Sequence, residues 1–424
     1  MYEYISIAVL IIILFRFLNR QNPPSVLSVY SRPGKYYYLK VAFLFLILQL
    51  RKVQTSLRKQ NKSQHSKKSG YGIKSRATIE EMDCPQTLSD HPKAIDAVYF
   101  NMASPKGWHL ITGTATRPHG VVNGFLFIQV PGLGLLSTPK LPDTLMFRDE
   151  TYKPEEYGAE GIRLVPFQPM RVWRLQYNGK MILNNHPEET FDVRLNAVWS
   201  SALPYFDFDT DMDALSVSKS MSVERWSRDY FSSLRNFHQT HYEQHGDMHG
   251  QLHINDRLYS FKMSGVRDHS YGEKREWKNF HRYVLHFITL EDGRRISVGV
   301  VSTPVTFSRV EIGYIYLADG SLIPVAYCSL QLHQHGEKGN PPTDYGFTVS
   351  AGGQLYTIQV EVTSSAEFFI GWEWETRIVE QFARFTVNGV KGWGAAEWQY
   401  RHLEGRPAAV SQLDPVWTRD INKG

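Results

Sequence analysis

Between Gly265 and His281 the chain places Arg267, Asp268, His269, Tyr271, Arg275, Trp277 and His281 within seventeen residues. A carboxyl, an imidazole and a phenol so close together are the parts of an acid–base site. On extended backbone, side chains alternate between faces. Arg267, His269 and Tyr271 then share one face, and Asp268 and Ser270 the other. Gly265 and Gly272 bracket the segment and permit a tight turn or a bulge. Two readings fit these residues. One is an acid–base or oxyanion-binding cluster at the mouth of a β-barrel. The other is an Arg–Asp ion pair with a Tyr/Trp packing corner. A second cluster, Gly392-Trp393-Gly394-Ala395-Ala396-Glu397-Trp398-Gln399-Tyr400-Arg401, either sends Glu397 and Arg401 to the same cavity or closes a core with its tryptophans.

Little else in the sequence suggests chemistry. His241, His245, His249 and His253 recur every four residues. On a strand, residues four apart lie about 13 Å from each other, too far to share an ion. Gly246 and Gly250 disfavour the helix that would bring them together. No P-loop, nucleophile elbow or metalloprotease His-Glu pair is present. Neither metal nor cofactor is expected. The two cysteines, Cys84 and Cys328, allow two free thiols or one bridge and exclude a disulfide framework.

The formal net charge of +5 hides an asymmetry. Residues 1–76 carry 14 Lys/Arg against Glu3 alone, so residues 77–424 hold 33 basic and 41 acidic side chains. The acidic body argues against nucleic-acid binding. Residues 4–18 and 36–50 are apolar runs interrupted by Arg16 and Lys40. They are expected to form hydrophobic helices that anchor the chain in a membrane. The basic run from Arg51 to Arg76 then puts the body on the cytosolic side.

Beyond residue 90 short apolar or alternating runs are separated by turn residues. Asn255-Asp256, Asp292-Gly293, Asp319-Gly320, Gly352-Gly353 and Asn388-Gly389 each lie between strand candidates. Asn123-Gly124 reads as a turn before a strand, and Asn178-Gly179 as the turn of a hairpin. Residues 211–236 suggest a helical insert. The expected fold is mainly β, with two successive antiparallel β-domains after the N-terminal hydrophobic helices. The expected divisions are a membrane-anchoring segment 1–50, a basic linker 51–90, a first β-domain 91–205, an insert 206–236, a second β-domain 237–404 and a tail 405–424.

The run Gly265-Val266-Arg267-Asp268-His269-Ser270-Tyr271-Gly272, followed by Arg275 and Trp277, resembles the signature of lipocalin-like double-barrel proteins related to carotenoid 1,2-hydratases (hydroxyneurosporene synthases). Gly394, Glu397 and Trp398 look like their closing strand. The stretch 99–401 is also similar to the N-terminal region of large animal phosphoenolpyruvate/pyruvate-binding phosphotransferase-like proteins. This chain carries none of their phosphotransfer domains. The resemblance implies two calycin-like β-domains, an apolar cavity, and a hydrophobic alkene or lipid as ligand. It implies Asp268 as the acid, with His269 and Tyr271 beside it. Arg267, Arg275, Trp277, His281, Glu397 and Trp398 are then expected to contact ligand. Tyr271 stands where tryptophan is common. The function expected is a hydratase or isomerase. The alternatives are a non-catalytic lipid carrier or sensor, or an interaction module.

Overall fold

The computed structural model describes residues 21–57, 70–73 and 77–418. The first sheet comprises β1 (Ile95–Ala103), β2 (His109–Thr116), β3 (Val121–Val130), β4 (Gly134–Ser137), β5 (Leu145–Phe147), β6 (Ile162–Gln168), β7 (Val172–Leu183), β8 (His186–Ser200), β9 (Phe206–Asp207), β10 (Thr240–Ile254) and β11 (Arg257–Gly272). Its main path runs β11-β1-β2-β3-β4-β7-β8-β10, and a β10–β11 pairing brings it back on itself. The second body comprises β12 (Arg282–Leu290), β13 (Arg295–Thr303), β14 (Phe307–Tyr316), β15 (Leu322–Cys328), β16 (Asp344–Ala351), β17 (Gln354–Ile370), β18 (Thr376–Val387) and β19 (Val390–Arg401). These eight form a closed barrel in sequence order, the up-and-down architecture of lipocalins. The expected two-domain, antiparallel β fold is what the chain adopts.

Each body has its own core, filled from one face of its strands. Val98, Phe100, Trp173 and Trp199 are buried inside the first, and Val284, Val298, Val349 and Trp398 inside the second. A third apolar layer lies between the bodies. It joins Tyr99, Phe125 and Phe127 of the first to Phe287, Phe368 and Phe382 on the outer face of the second. Polar ties cross the same seam. Tyr314 donates to Glu243 at 2.8 Å, and Trp393 Nε1 donates to the carbonyl of Ala103 at 3.1 Å.

The domain boundary lies further along than residue 237. Thr240–Gly272 completes the first sheet, because β11 pairs with both β1 and β10. The barrel begins only at Arg282. The five hairpin turns expected from Asn255-Asp256 to Asn388-Gly389 all fall between consecutive strands. The other two glycine signals do not mark turns. Asn178-Gly179 lies inside β7, where Gly179 pairs with Val193, and Asn123-Gly124 lies inside β3. At Gly124 a Cβ would come within 2.9 Å of Met146 Sδ, so close packing accounts for that glycine.

The expected membrane anchoring is overturned for the described residues. No helix among them is long and apolar enough to cross a membrane. The second apolar run forms helix α1 (Tyr37–Leu57), which docks on the body. Leu44 and Leu48 pack against Val217 and Met221 of α3 (Ala214–Val223) and against Phe307 and Val310. Lys40, which interrupts the run, donates to the carbonyls of Ser222 and Glu224 at 3.3 and 2.6 Å. A cation among the last carbonyls of a helix is a favourable cap. The run reads as wholly apolar because Leu39, Phe43, Leu46 and Leu50 on the other side are exposed. The first run, 4–18, lies outside the described residues. The expected insert holds α3 and α4 (Arg228–Asn236).

The stretch expected as a linker is partly structural. Helix α2 (Ile79–Met82) starts with a capping box between Thr78 and Glu81. It delivers Asp83 into the first domain, where that carboxylate accepts from Arg267 Nη1 at 2.8 Å and Nη2 at 3.2 Å. Both side chains are fully buried. Burial alone would raise the Asp83 pKa, but Arg267 and the Met170 amide hold it below its ordinary value. Replacing Asp83 with Ala leaves a buried guanidinium unpaired. The expected loss is about 3–5 kcal/mol, read from the urea midpoint of Asp83→Ala against wild type.

Candidate functional site

Strand alternation divides the Gly265–Gly272 segment as its parity predicts. Arg267 and His269 point into the first domain. His269 Nε2 lies 2.6 Å from Asp96 Oδ1, and Nδ1 lies 2.8 Å from the Tyr242 hydroxyl. Tyr271 is half-buried on the same face, its ring 5.0 Å from that of His269, and burial pushes its phenol up to about 12. Arg267 and His269 form a buried polar network with Asp83, Asp96 and Tyr242, and Tyr271 stacks at its edge.

Asp268 points the other way, into the seam between the two bodies. It lines a chamber of about 100 Å³ with Tyr99, Phe125, Trp277, Tyr283, Phe368 and Glu397, among others. No hydrogen bond or ion pair to its carboxyl occurs among the described residues. Arg267, its sequence neighbour, is held by Asp83 on the opposite face. Arg275, the other candidate partner, donates instead to Gln239 Oε1 at 2.8 Å and Ser270 Oγ at 2.6 Å. Asp268 is pushed up to about 7. Burial is the main cause. The charges of Glu243 and Glu397 add to it, and those of His241 and Arg275 oppose it.

The ladders explain who surrounds this carboxyl. Asp268 is paired with Tyr99 on β1 and with Glu243 on β10, so all three project to the seam. On the barrel side Glu397 of β19 pairs with Glu380 of β18, and both project outward from the barrel. Tyr99 donates to Glu380 Oε1 at 2.9 Å and accepts from Asn101 Nδ2 at 2.7 Å. Tyr283 donates to Glu397 Oε1 at 2.5 Å. Burial raises the pKa of both glutamates, Glu380 more strongly; the charge of Glu397 raises Glu380 further, whereas hydrogen bonds from Tyr283, Glu380 and Tyr99 oppose the rise at Glu397. Glu380 Oε2 is buried and has no hydrogen-bond partner among the described residues. One shared proton between the paired carboxyls supplies that missing bond.

His241 sits at the edge of this group. Its Nε2 lies 3.4 Å from Glu243 Oε1, and its side chain is 27% exposed. Burial lowers its pKa, but the hydrogen bond to Glu243 and the charge of Asp268 more than offset this and raise it. His241 is thus a partly exposed group at the edge of the seam whose charge and that of Asp268 favour one another.

The remaining expected residues are spread out. Trp277 lies on a short 3-10 turn (Trp277–Asn279) and lines the chamber. His281 is held by Glu337 at 2.8 Å, and Trp398 is buried inside the barrel, donating to Gln381 Oε1 at 2.9 Å. Neither lines the chamber. Sequence reasoning missed Tyr99, Tyr283, Glu243, Glu380 and Arg117. Glu380 had a readable signal: a carboxylate within Thr376–Val387, a strand otherwise rich in apolar residues. The histidine series lies along one face of β10, running from His241 at the chamber to the exposed His249 and His253. Among the described residues no group of three or more His, Cys, Asp or Glu is placed to hold a metal ion, and both cysteines are free.

Residues 4–400 match the family described as "Family of unknown function (DUF8627)". The chain belongs to this family. No curated protein matches it in sequence. Among solved structures it is similar to a candidate AttH from Nitrosomonas europaea, with 12% identity and a TM-score of 0.47 over 76% of this chain and 99% of that one. It is also similar to CghA bound to Sch210972, with 8% identity and a TM-score of 0.45 over 76% and 97% of the two chains. Kievitone hydratase from Nectria haematococca matches with 9% identity and a TM-score of 0.39 over 75% and 92%. None of these comparisons supports the expected relationship to phosphotransferase-like proteins.

An acid whose folded pKa exceeds its unfolded value, about 4.3 for Glu, stabilises the fold fully below that value. The contribution is lost as pH rises towards the folded pKa. Glu380 is such a group, and glutamine keeps its shape without ionising. The melting temperature of Glu380→Gln minus that of wild type is therefore expected to grow between pH 5 and pH 9. A difference that stays flat or shrinks would contradict a neutral Glu380.

Proposed function

We propose that this chain binds a hydrophobic small molecule between its two β-domains and protonates it from Asp268, as a hydratase or isomerase does. The observation that carries the reading is a carboxyl that faces an aromatic-lined chamber with no hydrogen-bond partner among the described residues and is pushed up to about 7. A general acid works best with a pKa near the operating pH.

In this reading the Asp268 proton passes to one carbon of a double bond, and positive charge develops on the other. The π-faces of Tyr99, Phe125 and Phe368 line the chamber and would favour that charge. A water molecule then adds and loses a proton, or an adjacent carbon loses one. Glu397, beside the chamber, is placed to receive that proton. His241 reloads Asp268 from solvent.

The chamber also limits the substrate. About 100 Å³ is well below the roughly 300–1,000 Å³ of pockets that enclose a whole drug-sized ligand. A long isoprenoid would enter by its reactive end only. A non-catalytic carrier would use the same chamber but release its ligand unchanged.

The test begins with mass spectrometry of the ligand extracted from native protein. Its conversion is then followed in heavy water with wild type, Asp268→Asn and Glu397→Gln. Asp268→Asn is expected to lower turnover about 10²–10⁴-fold with deuterium incorporation lost and affinity little changed. Turnover unaffected by Asp268→Asn would remove Asp268 from the chemistry. A ligand released without conversion by wild type would favour the carrier.

A further inference from the structure

The chamber opens onto a second, larger cavity of about 520 Å³ lined by Asp90, Lys93, Arg117, His119, Trp372 and Glu375, among others. Asn123, Arg275 and Trp277 line both, so they form the passage between them. Together the two spaces reach the size range of a small-molecule site.

The passage offers hydrogen-bond donors without matching acceptors. Arg117 donates from Nε to Asn123 Oδ1 at 3.2 Å and from Nη1 to the carbonyls of Lys93 and Ala94 at 3.3 and 3.4 Å. Arg275 uses Nε and Nη2 on Gln239 and Ser270. Arg117 Nη2 and Arg275 Nη1 have no partner among the described residues. Neither guanidinium forms an ion pair there. Trp277 Nε1 is buried and also lacks an acceptor.

The nearby carboxylates do not fill this gap. Glu375 pairs with Lys93 at 3.5 Å and acts on Arg117 only as a nearby charge, as Asp268 and Glu397 act on Arg275, so neither guanidinium has a carboxylate in contact among the described residues. Burial and the charge of Arg275 push Arg117 down to about 9, against the charge of Glu375. A half-buried guanidinium with N–H groups to spare favours an anionic partner, and its fork matches the two oxygens of an oxyanion.

We propose that the substrate is an organic anion whose carboxylate or phosphate sits between Arg117 and Arg275, with its unsaturated carbon skeleton reaching Asp268. This rests on the proposed protonation reading and names the substrate class for it. The anion is anchored in the passage, the bulk of the molecule occupies the outer cavity, and only the reactive segment enters the chamber. A negative charge on Arg275 also removes part of what opposes protonation of Asp268, so binding helps to arm the acid.

Calorimetric titration of the full chain with trans-cinnamate and with cinnamamide tests this. The two probes share a shape and differ in charge. Cinnamate is expected to bind at least about ten-fold tighter. That preference should collapse in Arg117→Gln and in Arg275→Gln and return in Arg117→Lys. Thermal melts check that each variant is folded, and if Arg117→Gln is not, Arg275→Gln decides. Displacement of cinnamate by inorganic phosphate would identify a general oxyanion site, and its failure a carboxylate site. Equal binding of acid and amide, no binding of cinnamate, or a preference that survives in a folded Arg275→Gln would overturn the proposal. Asp268→Asn should keep the preference, so loss of the anion site and loss of the acid role are separate results.

Discussion

A buried ion pair decides which way the acid points. Arg267 and Asp268 are adjacent on β11, so fixing one side chain fixes the other on the opposite face. Arg267 is anchored inside the first domain by Asp83 and by Gln244 Oε1 at 3.0 Å. A slip of one residue would bury Asp268 in that core and push the guanidinium into the seam. Asp83 comes from outside the sheet, just after α2. The short segment before the first strand therefore controls the geometry of a carboxyl far along the chain.

That geometry matters because the seam is where two β-surfaces exclude water. Each body packs its interior with apolar side chains, and the chamber lined by Asp268 lies outside both cores. The space is left between them, where Tyr99, Asp268 and Glu243 of one sheet oppose Tyr283, Glu380 and Glu397 of the other. Three acids of the group, Asp268, Glu380 and Glu397, have raised pKa values because burial disfavours their charge. With Asp268 and Glu380 neutral, the chamber tolerates an apolar or anionic ligand better than a fully ionised cluster would. The arginines at its entrance supply the charge that the acids withhold.

Much of this was legible in the sequence, and the losses have physical causes. Hairpin turns such as Asp292-Gly293 and Asn388-Gly389 are local, so their residues reveal them. Asn178-Gly179 was misread because a glycine required by a close approach looks the same as one required by a turn. At Gly179 a Cβ would come within 2.8 Å of the Tyr177 hydroxyl oxygen. The parity of Asp268 against His269 was readable, but which face met a cavity depended on Asp83, some 180 residues away. Glu380 gained its meaning only from its pairing with Glu397. Helix α1 resembled a membrane span because both of its faces are apolar, and nothing local told that one face packs on α3.

The central claim is that Asp268 meets the seam as a neutral acid near pH 7. Carbon-13 NMR of aspartate-labelled protein, with the Asp268 carboxyl assigned from its loss in Asp268→Asn, measures this directly. The account predicts a carboxyl that titrates near pH 7, with its midpoint rising further when cinnamate binds. A midpoint at the ordinary aspartate value of about 3.9, unmoved by cinnamate, would contradict it.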